Sequence, residues 1–342
     1  MTKKAIVLSG GGSKGAWGVG VVKALVENYT DAGELTYDVA VGTSTGSLMA
    51  PFILAEDIQG LEEGYTSVNQ KAIFKVNPFQ ENGDIRIGKI IERLIWKKKT
   101  FGDSSNLKER IYELITKKHF DDIRTKERVL GVTVGNFNTG VGETKTNIQL
   151  NRSGQVKYSD NHMRDWIWAS SNNPLFMSDF TFTDPDSGET HSYADGGITS
   201  YANLEYILNT HPDIEHIDVI FHSTPEIIRE GYDIESKALS RLFRVLDMQS
   251  SEINRNDLSN AKLRIAHPTN AHVSLDIYYM SDLDITTVTG PSRNSLIFNK
   301  QWMQTGVMRG YTQTKNGNTL KESCSISCQT GDIAVNNSNL PQ

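Results

Sequence analysis

Cysteine is nearly missing from this chain: Cys324 and Cys328 are the only two in 342 residues, and both lie in a polar stretch rich in Ser, Asn and Thr. A disulfide framework for the fold is thereby excluded, and a reducing cytoplasm is the expected compartment. A surplus of positive charge is missing too. The formal net charge is −6, whereas phosphate backbones demand clustered Lys and Arg, so nucleic acid is not an expected partner. No apolar run approaches the roughly 20 residues that cross a bilayer, which leaves peripheral contact as the expected relation to a membrane. The first apolar run, Ala5-Ile6-Val7-Leu8, stops at Ser9-Gly10, too soon for a secretory leader.

What is present is the composition of a globular protein, with 37% hydrophobic residues, enough to bury a sizeable core. The first 55 residues alternate strand, Gly-rich turn, helix, strand, sharp turn and helix, the order of a mostly parallel sheet covered by helices. Ala5–Leu8 and Val39–Val41 are the expected strands, joined later by 128–134, 144–150 and 217–221. Between about 60 and 128 the pattern is helical and more polar, with turn signals at Asn77-Pro78 and Asn82-Gly83, which reads as a cap or insertion. A further helix is expected over 236–258. One domain over residues 1–320 and a polar, flexible tail over 321–342 complete the expected organisation.

Gly42-Thr43-Ser44-Thr45-Gly46 fits G-x-S-x-G directly after Val39-Ala40-Val41 and before the helical run Ser47-Leu48-Met49-Ala50. A strand-to-helix elbow of this kind projects its serine from a strained turn, and the helix that follows aims its positive end at the hydroxyl. Taken alone, the pentapeptide fits a glycine-rich loop without chemistry equally well. Gly10-Gly11-Gly12-Ser13-Lys14-Gly15 follows the first strand and opens a helix. Successive backbone N–H groups there can converge on one anionic oxygen. Gly11 and Gly12 are the candidate donors, with Gly10, Lys14 and Gly15 in support. Asp195-Gly196-Gly197 places an acid before a turn, which by itself is more often only a turn.

The spacing Gly10-x-Gly12-x-x-Gly15 also satisfies the dinucleotide fingerprint. The ribose-binding acid of that fingerprint should end the second strand. Here the strand runs into Gly42-Thr43-Ser44, and Asp38 lies at its other end. A Walker loop needs G-K-[ST], an order that Lys14-Gly15 does not supply. A dinucleotide-binding module on Gly10–Gly15 and a catalytically silent lipid-binding protein remain the alternatives to an enzyme.

Taken in order, the Gly10–Gly15 loop, the Gly42–Gly46 elbow and Asp195-Gly196-Gly197 resemble the three signatures of the patatin-like phospholipases. Residues 169–176, Ala-Ser-Ser-Asn-Asn-Pro-Leu-Phe, are similar to the family's small-residue and Pro segment, with Asn172 and Asn173 departing from it. Residues 298–311 are similar to its closing helix, so the resemblance spans about residues 4 to 312. The resemblance implies a three-layer α/β/α sandwich around a mostly parallel sheet. It implies a lipid acyl hydrolase with a Ser–Asp dyad, Ser44 as nucleophile and Asp195 as base, and a Gly-rich oxyanion hole. Gly42, Gly46, Gly196 and Gly197 are its motif glycines. It implies no metal requirement; no cofactor is expected, and phospholipid or lysophospholipid esters are the expected substrate. His191, four residues before Asp195, is weighed as a third member and reads as a surface or structural residue.

Two further segments bear on lipid. Residues 85–96 carry apolar positions at near-helical spacing and end in Trp96-Lys97-Lys98-Lys99. The first reading is a cap helix packed on the sheet, its lysines favourably placed at the C-terminus. The second is a surface that docks on anionic lipid. Trp166 and Trp168, next to small residues, read as core before they read as an acyl-chain lining.

Overall fold

The computed structural model describes residues 3–31, 37–225, 238–291 and 293–325. Among the described residues nine strands form one mixed sheet: β1 (Lys4–Leu8), β2 (Val39–Thr43), β3 (Val129–Asn136), β4 (Val141–Thr146), β5 (Phe180–Thr183), β6 (Thr190–Asp195), β7 (His216–Phe221), β8 (Ser274–Tyr279) and β9 (Leu320–Cys324). Their order is β5-β6-β3-β2-β1-β7-β8-β9, with β4 also paired to β3. The central five, β3-β2-β1-β7-β8, are parallel, while β4, β5, β6 and β9 run antiparallel to their neighbours.

The central strands read as unbroken apolar runs because both of their faces are covered. Ile6 and Leu8 of β1 pack with one buried cluster, Ala5 and Val7 with a second on the opposite face. The first cluster gathers α1 (Gly15–Asp31), α2 (Thr45–Ala55), α8 (Asp160–Ser170) and α12 (Lys300–Lys315), the second α9 (Leu204–Thr210) and α10 (Ala238–Ile265). The result is the three-layer α/β/α sandwich expected from the sequence. Trp166, fully buried, and Trp168 both belong to the first cluster. Helix α11 (Asp282–Thr289) precedes α12 and packs against it. Among the described residues no helix is long and apolar enough to cross a membrane.

Between α2 and β3 lie α3 (Ile58–Thr66), α4 (Gln70–Ile73), α5 (Ile87–Ile95), α6 (Ser105–Leu114) and α7 (Lys117–Thr125). Leu61, Ile73, Leu107, Ile111, Phe120 and Ile123 carry these helices, α5 excepted, into the first buried cluster. The expectation that 85–96 packs as an ordinary cap helix is corrected here. Only Ile90 of α5 is buried, while Ile87, Ile91, Leu94, Ile95 and Trp96 face solvent.

Two further expectations shift, one for a strand and one for the tail. The pairing expected over 144–150 is β4, displaced to 141–146. It ends where the Asn147 side chain takes over the ladder, accepting from Leu130 N–H (2.8 Å) and donating to Arg128 O (3.0 Å). The expected tail starts at 321, yet residues 321–324 pair with β8 as part of β9. Residues 326–342 lie outside the described residues.

Candidate active site

The turn at the end of β2 consists of one residue. Thr43 closes the strand, Thr45 opens α2, and Ser44 between them adopts φ 54° and ψ −124°. A non-glycine residue rarely has positive φ, and such strain persists only where its surroundings impose it. Ser44 N–H donates to Ser170 Oγ at 2.9 Å. Ser44 O accepts from Ser47 N–H (2.9 Å) and Ser47 Oγ (2.6 Å). The first turn of α2 also lies hard against the end of β1, where a Cβ on Gly46 would stand 2.2 Å from Leu8 O. Only glycine fits there.

Strand β3 brings the acid to the serine. Along β3, Thr133 pairs with Thr43, and the next residue, Val134, pairs with Asp195 of β6. The antiparallel strand β6 thus takes over the edge of β3 where β2 turns away. Asp195 N–H is held by Asn172 O (2.9 Å), and its Oδ1 accepts Gly197 N–H (2.8 Å). Burial pushes the Asp195 carboxyl up to about 6, although hydrogen bonds from Gly197 N–H and the Ser44 side chain favour its ionised form. Desolvation dominates because the charged form loses more water than those two donors replace.

The glycine-rich loop closes the third side. Gly10 N–H donates to Tyr201 O (3.1 Å), Ser13 N–H to Ser295 O (2.8 Å) and Lys14 N–H to Gly11 O (3.1 Å). Gly12, at φ 56°, bends the chain between them. Among the described residues no acceptor takes the Gly11 or Gly12 N–H. The loop runs alongside the serine, since a Cβ on Gly10 would come within 3.3 Å of Ser44 Cβ. Gly15 opens α1 against Thr45, and half-buried Lys14 is close enough for its charge to act on His222. Gly10, Gly11, Gly12, Gly42, Ser44, Gly46, Asp195, Gly196 and Gly197 therefore meet at the carboxyl ends of β1, β2 and β6.

Three supporting residues escaped the sequence reading. Ser170 Oγ, besides accepting from Ser44, donates to Thr133 O at 2.7 Å and so ties the elbow to β3. Asn172, fully buried, gives its O to Asp195 and its Oδ1 to Ser104 Oγ at 2.7 Å. Its position in the small-residue and Pro segment was the only signal. His222 lies just past β7, directly beneath Gly11, where an added Cβ would meet its Cβ at 2.6 Å. His222 Nδ1 bonds to Ser9 O (2.8 Å) and its backbone N–H to Ser9 Oγ (2.8 Å). A carbonyl partner requires the proton on Nδ1. Burial pushes His222 down to about 4, with the Lys14 charge assisting and the bonds to Ser9 and Gly10 resisting.

All eight histidines are among the described residues, and none hydrogen-bonds Ser44. His191 pairs instead with Asn136 at 2.9 Å. A set with metal-ligand chemistry, His216, Asp218 and Asp276, has ligand atoms within 4.8 Å of one another. It lies in the first half of β7 and β8, at the opposite end of the sheet from Ser44. Tyr37 Oη already donates to Asp218 (2.8 Å), and Lys321 pairs with Asp276 (2.8 Å).

A family model described as patatin-like phospholipase matches residues 6–208 of the chain, a span that includes the glycine loop, the elbow and Asp195. No curated protein matches. Among solved structures, VipD from Legionella pneumophila is similar at 12% identity and a TM-score of 0.41, covering 95% of this chain and 68% of that one.

Proposed function

This chain belongs to the patatin-like phospholipase family, and on that premise we propose that it cleaves acyl esters of phospholipid or lysophospholipid through a Ser44 acyl-enzyme. Lipid acyl hydrolysis is the activity of the family. Ser44 Oγ attacks the ester carbonyl while Asp195 accepts its proton. The oxyanion forms against the Gly11 and Gly12 N–H groups, donors of the kind whose loss typically costs about 3 kcal/mol of barrier lowering. The tetrahedral intermediate expels the alcohol portion of the lipid, which takes the proton from Asp195. Water, deprotonated by Asp195, then attacks the acyl-enzyme and releases the fatty acid and Ser44.

The observation that carries this reading is the β3 register, which sets Ser44 and Asp195 side by side. A carboxyl raised to about 6 is a better base than an ordinary one near pH 7. The dinucleotide reading has no ribose-binding acid at the end of β2. A catalytically silent lipid binder would need no strained serine at φ 54°.

The test is fatty-acid release from phospholipid vesicles by wild type, Ser44→Ala and Asp195→Asn, with folding checked by circular dichroism. Ser44→Ala is expected to lose activity by a factor on the order of 10⁴ or more, and a fluorophosphonate should label wild type but not the variant. Activity retained in folded Ser44→Ala would overturn the mechanism.

A further inference from the structure

The α5 segment carries an apolar stripe that nothing in the described fold covers. Ile87, Ile91, Leu94 and Ile95 repeat at i, i+4, i+7 and i+8, the spacing of a buried helix face, yet they are 55, 51, 57 and 71% exposed. Trp96, 71% exposed, extends the stripe. Monomeric proteins seldom present so continuous an apolar surface without a use for it. The same stretch carries Arg86, Lys89, Arg93, Lys97, Lys98 and Lys99 against a single acid, Glu92, in a chain whose net charge is −6. Glu92 pairs with Lys89 (2.8 Å) and Lys99 with Asp179 (3.3 Å).

The segment is tethered on two sides to the candidate active site. Before α5, Gly83 O accepts from Asn294 Nδ2 (3.1 Å), and the next residue, Ser295, accepts Ser13 N–H of the glycine loop. After α5, Phe101 N–H donates to Leu175 O (2.8 Å), in the segment whose Asn172 holds Asp195. The flanks of the segment are thus hydrogen-bonded to the stretches that hold the glycine loop and Asp195.

We propose that α5 and the lysines after it form an interfacial anchor, which seats the apolar stripe in the surface of an anionic phospholipid membrane and presents the site to its substrate. Apolar residues alone would suit any greasy partner. The cation excess beside them, with an interfacial Trp at the junction, favours a lipid surface of negative charge over a protein groove. The choice of a membrane rests on the lipid-hydrolase reading above. Binding is therefore measured on the Ser44→Ala protein, whose capture by vesicles does not depend on hydrolysis.

The experiment is co-sedimentation of full-length Ser44→Ala with phosphatidylcholine vesicles, with and without phosphatidylserine, over a salt series. Capture is expected only with phosphatidylserine and should weaken as salt rises. Replacing Lys97, Lys98 and Lys99 together by Gln should lower the partition coefficient on the order of 100-fold, at about fivefold for each lysine. Leu94→Glu with Ile95→Glu should lower it by about tenfold or more. All five positions are exposed, so folding should survive, and circular dichroism checks it. Failure to sediment with either lipid overturns the anchor. So does equal capture by phosphatidylcholine alone, which would remove the charge argument. Self-association abolished by Leu94→Glu, without vesicle binding, would assign the stripe to a second copy of the chain and likewise overturn it.

Discussion

The elbow at Ser44 and the α5 segment hold opposite kinds of side chain in opposite settings. At the elbow a polar residue is only 8% exposed, and its backbone N–H and carbonyl are both engaged by other serines. Along α5, four aliphatic side chains and a tryptophan stand in water, while Ile90 is buried and the flanks are hydrogen-bonded to the rest of the fold. A buried polar group is tolerated only where its partners are supplied, so the elbow must be built from many fixed contacts. An exposed apolar face contributes little to folding and is free to exchange water for another phase. Chemistry that needs ångström geometry suits the first setting, and contact with a fluid surface the second.

The sharpest break of that contrast is at Ser170. Its hydroxyl serves both Ser44 N–H and Thr133 O in a fully buried position. Ser170→Ala leaves a donor and an acceptor unpaired, at about 1–3 kcal/mol each, so urea unfolding should show a loss of roughly 4 kcal/mol. Fatty-acid release should fall with it, because the strained φ of Ser44 loses one of its restraints. A stability change below about 1 kcal/mol would mean that the elbow supports itself.

Next in size is the cost of keeping Asp195 charged. Its folded pKa, about 6, lies above its ordinary 3.8, so the folded state binds the proton more tightly than the unfolded chain. Ionisation above pH 6 therefore works against the fold, by up to about 3 kcal/mol. Asp195→Asn should be inactive and, at pH 7.5, more stable than wild type by up to that amount, an advantage that shrinks as the pH falls from 6 toward 4. His222 acts in the reverse sense. Its folded pKa of about 4 lies below the ordinary 6.5, so the fold loses stability as the pH drops through that interval. In wild type the two terms oppose each other, and in Asp195→Asn the opposing term is gone, so stability should fall more steeply between pH 6 and pH 4 than in wild type. Wild-type kcat/KM should fall about tenfold per pH unit below 6, as the base takes up a proton. A profile flat to pH 5 would remove Asp195 from that role.

The legibility of the sequence followed the same division. Gly10–Gly15, Gly42–Gly46 and Asp195-Gly196-Gly197 could be found because tight backbone geometry restricts the choice of residue, and Gly46 against Leu8 O shows how tightly. The central strands were legible from their β-branched runs. Ser170, Asn172 and His222 were not, because a serine, asparagine or histidine becomes a support only through neighbours distant in sequence, such as Thr133 or Ser9. For 85–96 the periodicity identified a helix and its apolar face, but periodicity does not say what that face meets, and here it meets water. Residues 321–324 looked like tail because their composition is polar, yet as an antiparallel edge strand they need only β8 beside them.

The smallest expected effect tests the exposed half of the comparison. Leu94 is 57% exposed, so Leu94→Ser removes almost no buried area and changes mainly helix propensity. Its cost in urea unfolding should be about 0.5 kcal/mol or less, whereas truncating a buried Leu costs about 2–5 kcal/mol. The same substitution should weaken vesicle capture, since the lost side chain is one that would leave water at the membrane. Stability unchanged with capture reduced is the signature of a face kept for an external surface. A loss of about 2 kcal/mol or more would instead show Leu94 packed against protein in solution, and the contrast with Ser44 would then be one of degree.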